Sequence, residues 1–216
     1  MSRYAAAALC GALLAAAAPA SAQVPRYLGA DGGIARVRFR SVTAAGGEEL
    51  SGVVARAVAR GRAGAFALEA SYAQGRLTAD TGLATDRDLV DGSVFLAVRP
   101  VPWLAVGAGP HARAYDAAAG GVERWMHFEG RVRAEGDIVP GMLQAHLEGA
   151  LALGSSVNLA AGAGGARSAA VGLTLRPPQS PVWVALGYGV DRAATKGGGR
   201  AETVEMVMLA IGWGAR

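Results

Sequence analysis

Two histidine–carboxylate pairs are the residues in this sequence best suited to catalysis. His127 lies two residues before Glu129, and His146 lies two residues before Glu148. Residues two apart on a β-strand face the same side, so each imidazole would lie beside a carboxylate, as a general base lies beside the group that orients it. Because no serine occupies the neighbouring positions on the same faces, the pattern predicts no catalytic residue. Hydrolysis by these histidines is kept as an alternative.

Metal and cofactor sites have less support. Two histidines with nearby acids are potential zinc ligands, but this spacing on strands is common by chance. Residues 80–92 superficially resemble a calcium loop, although their order is one residue off the EF-hand order and no glutamate closes the loop. Its acids are Asp80, Asp86, Asp88 and Asp91. Residues 162–165 and 197–199 lack the lysine and the helix of phosphate-binding loops. We predict no metal, no cofactor and a solvated acidic loop.

The first 22 residues have the pattern of a cleavable secretory signal peptide. A short positive start is followed by an apolar run over residues 4–18, then Pro19 and the small residues 20–22. The run is shorter than the roughly 20 residues that a membrane anchor needs. Cys10, the single cysteine, lies inside this run. We expect a mature chain that begins at Gln23 and forms one domain over residues 23–216.

Charge and hydropathy narrow the class of protein further. The chain has 21 basic and 17 acidic residues, an excess too small to indicate nucleic acid as a partner. Lys196 is the one lysine, so the basic residues are almost all arginine. Mean hydropathy is positive, yet the chain after the signal peptide has no run of 18 apolar residues. A hydrophobic chain without hydrophobic helices is typical of a membrane-spanning β-barrel.

The hydrophobic pattern of the chain has a period of two. In residues 122–135 the apolar set is Met126, Phe128, Val132 and Ala134, and the alternating set is charged or aromatic. In residues 142–153, leucines alternate with Gln144, His146 and Glu148 in the same way. In residues 34–43, Val37 and Phe39 alternate with arginines. We expect the apolar sets to face lipid and the charged sets to face the interior.

Ten such segments predict ten strands, with eight as the alternative. They are residues 34–43, 50–58, 64–73, 88–99, 103–115, 122–135, 142–153, 168–176, 182–191 and 201–213. Most are close to the roughly 9–11 residues that a tilted membrane strand requires. Tight connections alternate with longer ones, of which residues 74–87 and 154–167 are the longest. Proline-rich turns precede Trp103 and Trp183 in two similar hairpins.

This pattern resembles the small outer-membrane barrels of the OmpA, OmpX and opacity-protein type. The resemblance implies an all-β fold, a closed antiparallel up-and-down transmembrane barrel in the outer membrane. It also implies contacts with outer-membrane lipid, the barrel-assembly machinery and other envelope proteins. Aromatic residues favour membrane interfaces, and the candidates are Trp103, Trp183 and Trp213. Alternation also places Trp103 and Trp183 on the interior side, where they would close the floor of the barrel.

The predicted interior carries a network of charged and polar residues. Its members are Arg36, Arg38, Arg40, His111, Arg113, His127, Glu129, Arg131, Arg133, Gln144, His146 and Glu148. Hairpin pairing would bring Arg133 near Gln144, Arg131 near His146, and Glu129 near Glu148. Small residues that alternate along two strands would leave space for long arginine side chains, namely Ala105, Gly107, Gly109, Ala185, Gly187 and Gly189.

The function expected from this pattern is non-enzymatic: a structural or surface-interaction role in the cell envelope. Three alternatives stay open. An arginine-rich interior would favour anions if the barrel were a narrow solute channel. The two histidine–glutamate pairs would serve a lipid-modifying hydrolase. A soluble periplasmic barrel or sandwich would bury the apolar faces and expose the charged ones.

Overall fold

The computed structural model describes residues 26–80, 84–117 and 121–215, and within them nearly every residue is in a β-strand. The predicted signal peptide and Gln23 lie outside these residues. A short 3₁₀-helix, Lys196–Gly198, precedes the last strand. The ten strands are β1 (Arg26–Thr43), β2 (Gly46–Ala63), β3 (Phe66–Ala79), β4 (Arg87–Val101), β5 (Leu104–Ala117), β6 (Gly121–Val139), β7 (Leu143–Val157), β8 (Ala163–Leu175), β9 (Val182–Thr195) and β10 (Arg200–Ala215).

The strands form one closed antiparallel barrel. Each strand pairs with its neighbours in sequence, and β1 pairs with β10 to close the sheet, with Ile34 opposite Leu209. The predicted up-and-down barrel is confirmed with ten strands rather than eight. The first residue of β1 and the last residue of β10 lie at the same end of the barrel. We call this end the termini end and the opposite end the loop end. No helix in the described part of the chain is long and apolar enough to cross a bilayer.

The outer face carries a belt of apolar side chains. Leu147 and Leu151 of β7 are each 63% exposed, whereas Glu129 on the neighbouring strand is 4% exposed and points inward. Similar outward positions are held by Ile34, Phe66, Leu96, Phe128, Val171, Leu186, Leu209 and Ile211. The soluble-barrel alternative requires the opposite arrangement of these faces. An apolar belt around a closed barrel is the arrangement that a hydrocarbon environment stabilises.

The strands are longer and the loops shorter than the sequence pattern predicts. The strands contain 13 to 19 residues, more than the roughly 9–11 that cross a bilayer. The predicted long loops 74–87 and 154–167 shrink to residues 80–86 and 158–162, because the flanking residues continue the ladders of β3, β4, β7 and β8. On β3, β7, β8 and β9 the extra strand length lies at the loop end, whereas on β1 and β6 most of it lies at the termini end. At the loop end the outward positions become polar, as at Arg76, Arg124 and Arg192.

The predicted acidic loop is only partly a loop. Asp86 lies in the connection before β4, where its carboxylate accepts a hydrogen bond from the backbone amide of Ala79 at 3.1 Å. This bond, with a second from Arg76, holds the pKa of Asp86 below its usual value. Asp88 and Asp91 belong to β4, and Asp91 points into the barrel. The prediction of a solvated acidic segment is therefore wrong for Asp91.

Strand β1 has the predicted alternation with the two faces exchanged. Val37 and Phe39 are 0% exposed and point inward, and the arginines at 36, 38 and 40 point outward. Arg38 and Arg40 both pair with Glu49, an outward residue of β2. The prediction of Arg36, Arg38 and Arg40 as interior residues is therefore wrong. The physical reason is that this part of β1 lies at the loop end, beyond most of the apolar belt, so Arg38 and Arg40 meet polar neighbours and water, while Arg36 lies beside exposed valines.

The interior toward the loop end contains a layer of apolar side chains, and at the loop-end mouth above it Arg87, Glu123 and Arg200 form largely buried ion pairs. We call the inward side chains of the apolar layer the apolar plug. Their exposure is between 0% and 1%, and Phe39 and Tyr115 pack with their ring centroids 4.9 Å apart. The plug consists of Val37, Phe39, Leu50, Val54, Leu77, Leu89, Tyr115, Trp125 and Val204. The loop-end half of the barrel therefore has a packed core like that of a soluble protein.

Candidate functional site

Apart from the ion pairs of Arg87, Glu123 and Arg200 at the loop-end mouth, the charged interior residues lie at mid-barrel and toward the termini end. Nine of the twelve predicted network residues point inward, since they alternate with exposed apolar residues on β5, β6 and β7. These nine are His111, Arg113, His127, Glu129, Arg131, Arg133, Gln144, His146 and Glu148. The six predicted small residues on β5 and β9 also lie on inward positions. Two groups of contacts organise these side chains.

The first group surrounds His111 below the plug. The two ring nitrogens of His111 lie 2.9 Å from Glu129 Oε1 and 3.0 Å from Asp91 Oδ2. Arg113 donates to Asp91 at 2.7 Å and, across the barrel, to Asp191 at 2.7 Å. Arg113 is 5% exposed, so this cation is held in the interior by two carboxylates. We call these five residues the histidine cluster.

The second group is an arginine–carboxylate network in the termini half. Glu69 of β3 accepts from Arg60 at 2.9 Å and from Arg131 at 3.0 Å. Arg60 also pairs with Asp31. Arg131 reaches Glu148 at 3.1 Å, and its guanidinium lies 3.5 Å above the ring of Phe95. The residue opposite Arg131 on β5 is Gly107, which leaves the space that this long side chain occupies.

The register of the β6–β7 hairpin differs from the predicted one. Arg133 lies opposite Glu148, while His146 faces Glu135 and Gln144 faces Asp137. The predicted pairs Arg133–Gln144, Arg131–His146 and Glu129–Glu148 are therefore wrong. The turn lies at residues 140–142, later than its predicted centre, and this shift moves each partner by four residues. The observed register pairs opposite charges at Arg133 and Glu148, which stabilises the interior.

A cavity of about 560 Å³ opens at the termini end. Its wall includes seven arginines and five carboxylates, so the lining has a net positive charge. The arginines are Arg56, Arg60, Arg62, Arg99, Arg131, Arg133 and Arg176. None of the plug residues lines this cavity, and it ends near Met208, which packs against the plug. We call this space the arginine cavity.

Comparison with solved structures identifies the architecture. The outer membrane protease OmpT from Escherichia coli superposes with a TM-score of 0.66 at 8% identity, over 91% of this chain and 99% of that chain. The fold is that of a small outer-membrane barrel. An outer membrane channel from Pseudomonas putida F1 gives a TM-score of 0.48 at 11% identity, covering 88% of this chain and 96% of that one. Neisserial surface protein A gives 0.37 at 12% identity, covering 87% and 96%.

The sequence comparisons return no relatives. No protein-family model matches the chain, and no curated protein does. At 8% identity the likeness to OmpT concerns the path of the backbone, so the chemistry of this barrel has to be argued from its own side chains.

The three predicted interface tryptophans lie at the termini end but differ in orientation. Trp103, in the β4–β5 turn, is 56% exposed, and Trp213 on β10 is 57% exposed. Both are placed where an aromatic belt would contact a membrane interface. Trp183 is 3% exposed and points inward, where Arg176 stacks on its ring at 4.6 Å. The prediction of Trp183 as an interface residue is therefore wrong, because its side chain faces the interior. The alternative that places Trp103 in the interior is also wrong, because Trp103 belongs to the turn.

A serine beside one histidine is a feature that the sequence did not indicate. Ser155 Oγ lies 2.9 Å from His127 Nδ1. The alternation of β7 alone would turn residue 155 outward, but a bulge at Leu153 shifts the register and turns it inward. A serine–histidine contact is one element of nucleophilic catalysis. Neither residue lines the arginine cavity, and His127 is 7% exposed.

Several interior acids and arginines also escaped the sequence analysis. Arg56 and Arg60 alternate with alanines, which give no clear hydrophobic period, so the side that they face was not predictable. Glu69 and Asp191 each occur singly in apolar or mixed segments, and Asp91 falls within the predicted acidic loop. Within residues 26–80, 84–117 and 121–215, no group of three or more histidine, cysteine or acidic residues is arranged to hold a metal ion.

Proposed function

We propose that this protein is a non-enzymatic outer-membrane barrel that does not conduct solutes and has a structural or surface-interaction role in the cell envelope. The observation that carries the proposal is the apolar plug, whose side chains fill the loop-end half of the interior with 0% to 1% exposure. Water and ions do not cross a packed apolar core. The arginine cavity below it would then open only to the periplasm, where barrels of this class place both termini.

The apolar belt supports localisation of the protein in the outer membrane. Outward residues in the termini half are apolar on neighbouring strands, whereas a charge there would cost roughly 2–4 kcal/mol near the bilayer midplane. The predicted signal peptide over residues 1–22 would bring the chain across the inner membrane. Contacts with outer-membrane lipid and delivery by the barrel-assembly machinery are part of the same proposal.

Membrane fractionation tests the proposed localisation in the outer membrane. The protein expressed with its leader is expected in the outer-membrane fraction, extractable with detergent and not with salt or carbonate. The unboiled barrel should migrate differently from the boiled chain on a denaturing gel, because its closed ladder of hydrogen bonds resists detergent. Recovery in the soluble periplasmic fraction would contradict the proposal.

Cysteine reactivity tests the plug. In a Cys10→Ser background, three reporters sample the barrel: Ala97→Cys in the arginine cavity, Val54→Cys in the plug and Ala44→Cys in an exposed turn at the loop end. With an anionic methanethiosulfonate added to the detergent-solubilised protein, Ala44→Cys and Ala97→Cys should react readily. Val54→Cys should react at least about a hundredfold more slowly, since it opens to reagent only when packing is lost. Mass spectrometry measures the modified fraction.

Conductance separates the proposal from the channel alternative. The arginine cavity, with its net positive lining, is the observation that favours an anion-selective channel. In a planar bilayer the folded protein should give no steady current. A steady anion-selective current, or equal reactivity of Val54→Cys and Ala97→Cys, would show that the plug moves aside and would favour the channel.

A further inference from the structure

The outer surface of strands β6 to β9 holds a groove of about 590 Å³. It runs across the four strands along a row of outward residues that lie opposite one another. The two central residues of this row are small, and the two end residues are valines. The row is Val132, Gly149, Ala169 and Val190. The next outward row toward the loop end is Gly130, Leu151, Arg167 and Arg192. The groove is therefore apolar along its length and has two arginines on one edge.

The groove exists because glycines occupy its floor. A Cβ atom built on Gly149 would lie 3.9 Å from its nearest neighbour, the carbonyl oxygen of Ser168. A Cβ atom on Gly130 would meet Leu153 at 3.5 Å. Both distances are ordinary van der Waals contacts, so larger side chains would fit without moving the backbone. The space is thus open to a ligand of apolar chemistry.

Two exposed arginines, Arg167 and Arg192, lie on one edge of the groove. Arg167 and Arg192 lie directly opposite each other on β8 and β9, both exposed. Like charges in this position repel and destabilise a sheet. Among the described residues neither arginine forms an ion pair within 4.0 Å, and the outward acid of β10, Glu205, pairs with Arg40 at 3.9 Å. An anion between the two guanidiniums would remove the repulsion.

The position of this pair relative to the apolar belt identifies the chemistry of the anion. On β8 the outward residues below Arg167 are Ala169, Val171, Leu173 and Leu175, and on β9 those below Arg192 are likewise apolar or aromatic. The arginines therefore lie at the edge of the belt, at the depth where lipid phosphates lie when the belt contacts hydrocarbon. A free phosphate ion would use the arginines and leave the groove empty.

We propose that the groove binds one anionic membrane lipid through its phosphate. An acyl chain lies across Gly149 and Ala169, and the phosphate lies between Arg167 and Arg192, which donate charge-assisted hydrogen bonds to it. The inference rests on the proposed membrane address, since it needs the groove to face lipid. Such a lipid would be retained when the protein is extracted into mild detergent.

Native mass spectrometry with defined lipids tests the proposal. The protein in detergent is mixed with dipalmitoyl phosphatidic acid or with dipalmitoyl phosphatidylcholine, and one-to-one adducts are counted. The wild type should retain the phosphatidic acid about tenfold more than the phosphatidylcholine, because both phosphates can accept from the arginines but choline cancels the negative charge of the second one. Arg167→Gln with Arg192→Gln should abolish this preference, and Gly149→Leu should lower retention of both lipids because it fills the groove.

Matched variants and a competitor make the outcome decisive. Arg124→Gln removes an outward arginine of β6 outside the groove and should retain lipid as the wild type does. Inorganic phosphate should compete poorly, since it gains nothing from the apolar floor. Equal adducts in the wild type, the double arginine variant and Gly149→Leu would overturn the proposal, as would displacement by millimolar phosphate. Heat-modifiable migration of each variant shows whether the barrel has formed, and fractionation shows whether the wild type is in the outer membrane, so failure of either is distinguishable from failure of the lipid site.

Discussion

Replacement of Arg113 by methionine is expected to lower the free energy of unfolding by about 3–5 kcal/mol, the loss typical when one member of a buried ion group is removed. The guanidinium is 5% exposed and donates to both Asp91 and Asp191, so its loss leaves two interior carboxylates without their shared cation. Denaturant titration of the reconstituted barrel, followed by the fraction of heat-modifiable band, measures the change.

Two further variants separate the loss of charge balance from the loss of packing. Arg124→Met removes an exposed outward arginine and should change stability by no more than about 0.5 kcal/mol. The triple variant Arg113→Met, Asp91→Asn, Asp191→Asn removes the uncompensated charges and should recover most of the loss, as expected when a buried ion group is replaced as a unit. An equal loss in Arg113→Met and Arg124→Met would show that the histidine cluster does not contribute to folding.

The second large effect is expected from exchanging the two faces of β1. Val37→Arg places a cation among plug residues where the native side chain is 0% exposed, and we expect a loss of at least about 4 kcal/mol or failure to fold. Arg36→Val changes the outward neighbour of the same strand. It should be tolerated within about 1 kcal/mol, because that face has apolar neighbours in Val53 and Val207.

This pair of variants separates the observed orientation from the one that the sequence pattern predicts. If the arginines of β1 faced the interior, Arg36→Val would leave interior acids without a partner and Val37→Arg would place an arginine on the lipid face. The stability of the folded band in urea distinguishes the two. Greater damage from Arg36→Val than from Val37→Arg would contradict the apolar plug and the closed interior that depends on it.

Which face of a strand tolerates an apolar or a charged substitution depends on the height of the residue in the barrel relative to the bilayer. On β6 and β7 the apolar residues face outward because they lie in the belt, as the sequence pattern predicts for Phe128 and Leu147. At the loop end of β1 the apolar residues of the same alternation face inward instead, because the plug makes the interior apolar at that height. A period of two gives the two faces of a strand but does not say which face is inside when the environment changes along the barrel.

The sequence by itself determined the strand content, the alternation, the number of strands and the apolar belt, because these depend on local hydrophobic pattern and turn residues. It also placed nine network residues inside, where long charged segments such as 122–135 leave little ambiguity. Only the tertiary structure decided the register of the β6–β7 hairpin, the inward turn of Ser155 and the contact of Arg113 with Asp191 across the barrel. These depend on where a turn begins, on a one-residue bulge and on closure of β1 against β10. Such features bring together residues that are far apart in the chain, and no local pattern encodes their distances.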